Sequence, residues 1–105
     1  MYKKNTLVDI ERLRLHAELL DAAIKSHIGE SEDVNFLANL PSLNKCLDEA
    51  KKGLIKYPRK LGLGRWMLES DILSVPEVAL RLAQFGSLLD GWELSVDQDK
   101  DYSSY

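Results

Sequence analysis

The chain has 105 residues, of which 45% are apolar and 30% are charged, with 14 basic residues against 17 acidic ones. This length predicts one globular domain over residues 1–96, and it excludes a core that also encloses a deep substrate cavity. The only cysteine, Cys46, excludes an internal disulfide and a zinc site made of cysteines alone.

The N-terminal residues lead directly into an amphipathic segment and lack the apolar core of a signal peptide. No stretch approaches the roughly 20 apolar residues that are needed to cross a bilayer. We therefore expect a cytoplasmic protein that makes no contact with a membrane.

The first predicted element is a long amphipathic helix over residues 7–28, with Thr6 as its N-cap and Gly29 as its stop. Apolar residues recur at steps of three and four, which is the spacing of one helix face. These residues are Ile10, Leu13, Ala17, Leu20, Ile24 and Ile28. A second, smaller apolar strip consists of Val8, Leu15 and Leu19. Two strips predict contacts with more than one neighbour, either inside the fold or in another chain.

Both histidines of the sequence, His16 and His27, lie on this first helix. Eleven residues of helix separate them by roughly 16 Å, so they cannot share one metal ion. Each lies beside the apolar stripe, and we expect each to pack at its edge.

An acidic turn with Glu30, Glu32 and Asp33 follows, and the apolar residues after it predict a short helix or a packed loop. The second main helix is predicted over residues 40–56, and Tyr57-Pro58 ends it. Its apolar stripe consists of Leu40, Leu43, Leu47, Ala50 and Leu54.

The connector from Pro58 to Gly64 leads into a predicted short helix over residues 65–73. The third main helix is predicted over residues 75–90, where Ser74 and Glu77 have the spacing of a capping box. Gly86 lies within its apolar stripe and predicts the close approach of another backbone.

The last part of the chain begins with Trp92, from which apolar and polar residues alternate as far as Val96. We expect an extended segment laid on the core, with Trp92 sealing one end. Residues 97–105 have no apolar period and predict a disordered acidic tail.

Together these elements predict an all-α fold, a small antiparallel bundle of three main helices with one or two short ones. The connectors are short enough for neighbouring helices to pack side by side. The predicted core, apart from Trp92, consists of Ile10, Leu13, Leu20, Ile24, Leu43, Leu47, Leu54, Val78, Leu82, Phe85 and Leu89.

The charge is unevenly distributed, because no acidic residue lies between Ala50 and Leu68. Six basic residues fall in this interval: Lys51, Lys52, Lys56, Arg59, Lys60 and Arg65. Without them the chain has 8 basic residues against 17 acidic ones, a net charge of −9 instead of −3. The segment predicts one of three arrangements: an anion or nucleic-acid site, a solvated helix face with an Asp48–Lys52 pair, or a loop docked on the acidic surface of the protein itself or of a second copy.

The pattern Gly62-Leu63-Gly64 inside the basic segment matches neither the Walker loop nor the dinucleotide fingerprint, so it indicates a tight turn between helices. No nucleophile elbow or metal-binding spacing occurs, and Cys46 lies on the apolar side of its helix, where burial makes a thiol a poor nucleophile. We therefore predict a protein that is not an enzyme and has no cofactor or metal.

The acidic residues favour a non-catalytic protein-binding domain, such as an inhibitor or immunity-type protein that masks a basic partner, for example a nuclease toxin. The predicted partner-binding residues are Glu30, Glu32, Asp33, Glu69 and Asp71, with Trp66 as an apolar anchor. One alternative is a small regulator that binds nucleic acid through the basic segment. Another is a homo-oligomeric adaptor that buries the second apolar strip. The first hypothesis predicts a monomer or homodimer.

Overall fold

The computed structural model describes residues 7–91, and their regular structure is entirely helical, as predicted. Five α-helices and one 3₁₀ turn follow in order: α1 (Ile10–Ser26), α2 (Glu32–Ala38), α3 (Pro41–Lys51), α4 (Gly64–Glu69), the 3₁₀ turn (Ile72–Ser74) and α5 (Pro76–Leu89). The predictions for Thr6, for the extended segment from Trp92 to Val96 and for the tail concern residues outside this range.

Helix α1 packs against both α5 and α3, so a wide arc of its surface is buried. It begins at Ile10 and not at the predicted Leu7, because Asp9 caps it by accepting a hydrogen bond from the Arg12 backbone N–H at 3.2 Å. The residues before Asp9 instead run beside the segment that follows α3. There the Val8 N–H donates to the carbonyl of Lys56 at 3.0 Å.

Most of the predicted core is confirmed, with side chains exposed by 3% or less. These residues are Leu13, Leu20, Ile24, Leu43, Leu47, Val78, Leu82, Phe85 and Leu89. Ile10 is only half-buried, because it lies in the first turn of α1.

The prediction for Leu54 is wrong, since this side chain is 63% exposed and Ile55 is buried in its place. The predicted helix 40–56 ends early, at Lys51, because Gly53 adopts a φ of +72° and turns the chain away. Glycine adopts a positive φ readily. Because the chain leaves the helix here, the helical spacing no longer predicts which residue is buried, and Ile55 takes the place of Leu54.

The second apolar strip of α1 does not form one surface. Val8 precedes the helix and lies in the core, whereas Leu15 is 46% exposed and Leu19 is half-buried. His16, predicted at the edge of the stripe, is instead fully buried. The burial of His16 follows from the position of α1 between two helices, which buries a wider arc than one stripe.

The predicted capping box at the start of α5 is wrong. The Ser74 hydroxyl donates to the carbonyl of Asp71 at 2.6 Å, which closes the 3₁₀ turn, and Val75 precedes α5 without a side-chain cap. Glu77 contacts His27 instead. The predicted helix over 65–73 is also divided, because Ser70 is extended, with ψ at 178°.

Gly86 has no close backbone neighbour, contrary to the prediction. A Cβ atom at this position would have Leu61 Cδ2 as its nearest neighbour, at 4.0 Å, which is an ordinary contact. We predict that Gly86→Ala stabilises the protein by about 0.5–1 kcal/mol, because alanine restricts the unfolded chain and favours the helix. Urea unfolding at equilibrium measures this change.

The matched control is Gly53→Ala. This residue has a positive φ, and an added Cβ atom would lie 2.9 Å from Nη2 of Arg14. We expect this substitution to lower the free energy of unfolding by at least about 1 kcal/mol. If Gly86→Ala destabilised the protein as much as Gly53→Ala, the conclusion that there is room for a Cβ atom at Gly86 would be wrong.

Candidate functional site

Helices α2 and α4 meet through two aromatic rings. The ring centroids of Phe36 and Trp66 lie 5.3 Å apart, with 30° between the ring planes. The Phe36 side chain is 46% exposed, while Trp66 is half-buried against the core. Val34 and Leu37 are fully buried and hold α2 on the bundle, so Phe36 has a fixed position.

A hydrogen bond joins the two acidic regions that flank these helices. Oδ2 of Asp33 accepts the backbone N–H of Asp71 at 2.7 Å, across 38 positions of sequence. The Asp33 N–H in turn donates to the Ser31 hydroxyl at 3.1 Å, which caps α2. The turn before α2 and the turn after α4 are therefore held together.

We define the acidic–aromatic face by six residues: Glu32, Asp33, Phe36, Trp66, Glu69 and Asp71. On α2, Glu32 precedes Phe36 by four positions, and on α4, Glu69 follows Trp66 by three. Residues at these spacings are neighbours on a helix surface. Each ring thus has a carboxylate on its own helix within one turn.

Two of the predicted partner-binding residues, Asp33 and Asp71, are joined by a hydrogen bond, and three more, Glu32, Trp66 and Glu69, lie on α2 and α4. Glu30 is not part of this face. Two of the predicted residues also have structural roles. Asp33 holds the two turns in contact, and Glu30 lies 2.9 Å from His27. Phe36 was not among the predicted partner-binding residues. Its four-residue spacing from Glu32 is the signal that points to it.

His27 forms a junction between three parts of the fold at the end of α1. Its Nδ1 lies 2.9 Å from Oε1 of Glu30, in the following turn, and its Nε2 lies 2.8 Å from Oε1 of Glu77, on α5. Hydrogen bonds to Glu30 and Glu77 raise the pKa of His27, and they outweigh the opposing effect of burial. Nε2 is hydrogen-bonded to Glu77, and Nδ1 lies at ion-pair distance from Glu30, so the two carboxylates favour the imidazolium form, which carries a proton on both nitrogens.

The basic segment is largely neutralised by carboxylates of the same chain. Its four ion pairs are Lys51–Asp21 at 2.5 Å, Lys52–Asp48 at 3.0 Å, Arg59–Glu49 at 3.4 Å and Arg65–Glu69 at 3.5 Å. The predicted Asp48–Lys52 pair is therefore confirmed. Lys56 and Lys60 are exposed, and neither pairs with a carboxylate within residues 7–91.

The Lys51 pair connects α3 to α1. Burial raises the pKa of Asp21, but the ammonium groups of Lys51 and Lys25 lower it by more, so the pKa lies below its usual value. A lysine whose charge is balanced by a partly buried carboxylate contributes little to attraction of an external polyanion.

The glycine pattern lies in the turn that leads into α4. Gly62 has a φ of +79°, and α4 begins at Gly64. This turn, α4 and α5 enclose a shallow groove of about 320 Å³. Its lining is Lys60, Leu61, Gly62, Leu63, Gly64, Met67, Leu82, Ala83, Gly86, Ser87 and Asp90.

The single thiol lies in the core. Cys46 is 6% exposed, and burial raises its pKa. Across residues 7–91, no three His, Cys, Asp or Glu side chains are grouped as metal ligands would be. None of the helices in this part of the chain has the length and apolar character that a membrane span requires.

No protein-family model, no curated protein and no solved structure matches the chain. The chemistry of its own residues is therefore the basis for a function.

The His27 junction predicts a dependence of stability on pH. Because the pKa of His27 is higher in the folded state than the ordinary value of 6.5, its stabilising effect is complete below pH 6.5. This effect is lost as the pH rises through the folded-state pKa. We expect the difference in free energy of unfolding between the wild type and His27→Gln to shrink as the pH rises from 6.5 through the folded-state pKa of His27.

Urea unfolding across pH, above the range in which carboxylates titrate, measures this difference. The control is Glu77→Gln, which should lower the pKa of His27 in an NMR titration. A stability difference that stays constant with pH would refute the junction.

Proposed function

We propose that this chain is a non-catalytic protein-binding domain whose acidic–aromatic face covers a basic surface of a partner protein. The observation that carries the proposal is the convergence of two acidic regions around one ring pair. The Asp33–Asp71 hydrogen bond and the Phe36–Trp66 contact produce that convergence.

The face combines the two features that protein recognition uses. Carboxylates of one sign attract a basic partner over a distance and raise the association rate. Partly exposed aromatic side chains supply the apolar contact that holds a complex after the encounter. Glu32 and Phe36 are exposed on α2, and Glu69 is exposed on α4, so they can meet a partner without unfolding.

The concrete form of the proposal is an inhibitor or immunity-type protein of the cytoplasm. Enzymes that act on nucleic acid have basic clefts, and a small acidic protein can cover such a cleft. The domain has 105 residues and a net charge of −3, which suit that role. The proposed target is a basic protein such as a nuclease toxin.

The basic segment favours this proposal over nucleic-acid binding. Four of its six cations lie within 3.5 Å of a carboxylate of the chain, so a polyanion that approached them would also meet negative charge. The other two, Lys56 and Lys60, are exposed. The potential along the segment is therefore mixed in sign, and the expected affinity for nucleic acid is low.

The proposal is tested by capture from a nuclease-treated lysate of the source cell, with the protein as bait over a series of salt concentrations. We predict one stoichiometric basic protein that survives moderate salt. Charge reversal of Glu32 and Glu69 to lysine should reduce the recovered amount, because both lie on the face and neither closes the Asp33–Asp71 hydrogen bond.

The matched control is Glu11→Lys with Asp48→Lys, which changes the net charge equally. Glu11 is a first-turn carboxylate like Glu32, and Asp48 has an exposed partner four residues away, as Glu69 has. This control should retain the partner. Two results would contradict the proposal. One is an equal loss of the captured partner in both variants. The other is binding of the wild type to a polyanion column that weakens as the salt concentration rises. If no protein is captured and the native mass exceeds that of a single chain, the homo-oligomeric adaptor is favoured instead.

A further inference from the structure

We infer that the ring pair Phe36–Trp66, with Glu32 and Glu69, is a binding site for an arginine side chain of the partner. This inference rests on the proposed function and names the chemistry that the face recognises. It starts from the rings, because a partly exposed aromatic pair offers a flat surface that a partner side chain can cover.

The geometry of the rings suits a planar cation. Phe36 remains 46% exposed although it contacts Trp66 at a centroid distance of 5.3 Å. A guanidinium laid on this exposed surface lies within about 6 Å of a ring centroid, the range of the cation–π interaction. An uncharged apolar occupant would instead remove water from the neighbouring carboxylates without pairing them, which is unfavourable.

The carboxylates on either side complete the site. Glu32 lies one turn from Phe36, and Glu69 lies one turn from Trp66. Glu69 already accepts a guanidinium of the chain, because Nε of Arg65 lies 3.5 Å from Oε1 of Glu69. The Arg65 side chain is 89% exposed, so an incoming arginine can replace it at little cost.

Arginine fits the site better than lysine for two physical reasons. Its guanidinium is flat and weakly hydrated, so it stacks on a ring and still donates hydrogen bonds in its plane to a carboxylate. The lysine ammonium is compact and strongly hydrated, and it must give up more water to lie on an aromatic surface.

The site is also held in place before binding. The Asp33–Asp71 hydrogen bond joins the residues next to both helices, and buried Val34 anchors α2 to the core. The rings therefore need little reordering when a cation arrives, and less of the binding free energy is lost to ordering.

The test is an NMR titration of the full chain with a blocked arginine tripeptide and with its lysine counterpart at equal ionic strength. The readout is the indole N–H resonance of Trp66, which its loss in Trp66→Leu distinguishes from that of Trp92. We expect the arginine peptide to bind about three- to five-fold more tightly, the equivalent of one modest cation–π contact. Equal affinity for the two peptides would overturn the inference.

Two exposed positions test the site without a risk to the fold. Glu69→Gln should weaken arginine binding, whereas Arg65→Gln should strengthen it by about two-fold, because it removes the internal competitor for Glu69. The control is Glu11→Gln, which lies in the first turn of α1 and not on the acidic–aromatic face. It should leave the affinity for the arginine peptide unchanged. Weaker binding in Arg65→Gln, or equal effects of Glu69→Gln and Glu11→Gln, would reject the site.

The peptide titration separates this inference from the proposed function. Discrimination between arginine and lysine in the absence of any captured protein would support the site and refute the larger role. Capture of a basic protein that Glu32→Lys and Glu69→Lys abolish, together with equal affinity for the two peptides, would support the role and refute the arginine site.

Discussion

The packing of α1 between α3 and α5 is the constraint on which the rest of the structure depends. Leu13, Leu20 and Ile24 of this helix are buried on its two neighbours. Burial of one such side chain contributes about 1.5–3 kcal/mol, whereas an exposed ion pair contributes about 0–1 kcal/mol. Apolar contacts along α1 therefore decide where the helices lie, and polar contacts adjust what is exposed.

The weaker interactions occur where the core ends. At the C-terminal end of α1, His27 joins the following turn to α5, and beyond this junction α2 and α4 meet at the ring pair. Neither short helix could hold this arrangement alone, because helices of six or seven residues are unstable in isolation. The Asp33–Asp71 hydrogen bond and the ring contact supply what the backbone of each helix lacks.

The periodicity of the sequence was sufficient to predict the three main helices and nine of the core side chains. It was less informative at helix ends, where single residues decide. Gly53 ends α3 through a positive φ, and Asp9 begins α1 as a cap. The sequence also predicted a capping box between Ser74 and Glu77, but Glu77 instead contacts His27, which lies 50 positions earlier in the chain. Local patterns contain no information about such a distant competitor.

The candidate site was predictable in its residue types more than in its arrangement. The acidic turns were visible as clusters, and Trp66 was predicted to be an apolar anchor, which stays a prediction. Their proximity depends on one hydrogen bond between positions 38 apart, which no spacing along the chain encodes. Phe36 was missed because its role depends on a ring from another helix.

The charges of this protein are distributed differently along the chain and in space. The basic segment is continuous in sequence, but Asp21, Asp48 and Glu49 come from other parts of the chain or from the preceding helix and neutralise much of it. The acidic clusters are far apart in sequence, yet the fold joins them. A potential that a partner senses is set by the sum of the charges near a surface, and Arg65 pairs with only one of the four carboxylates of the acidic–aromatic face, Glu69. That difference is why the acidic–aromatic face, and not the longest run of one sign, is the stronger basis for a function.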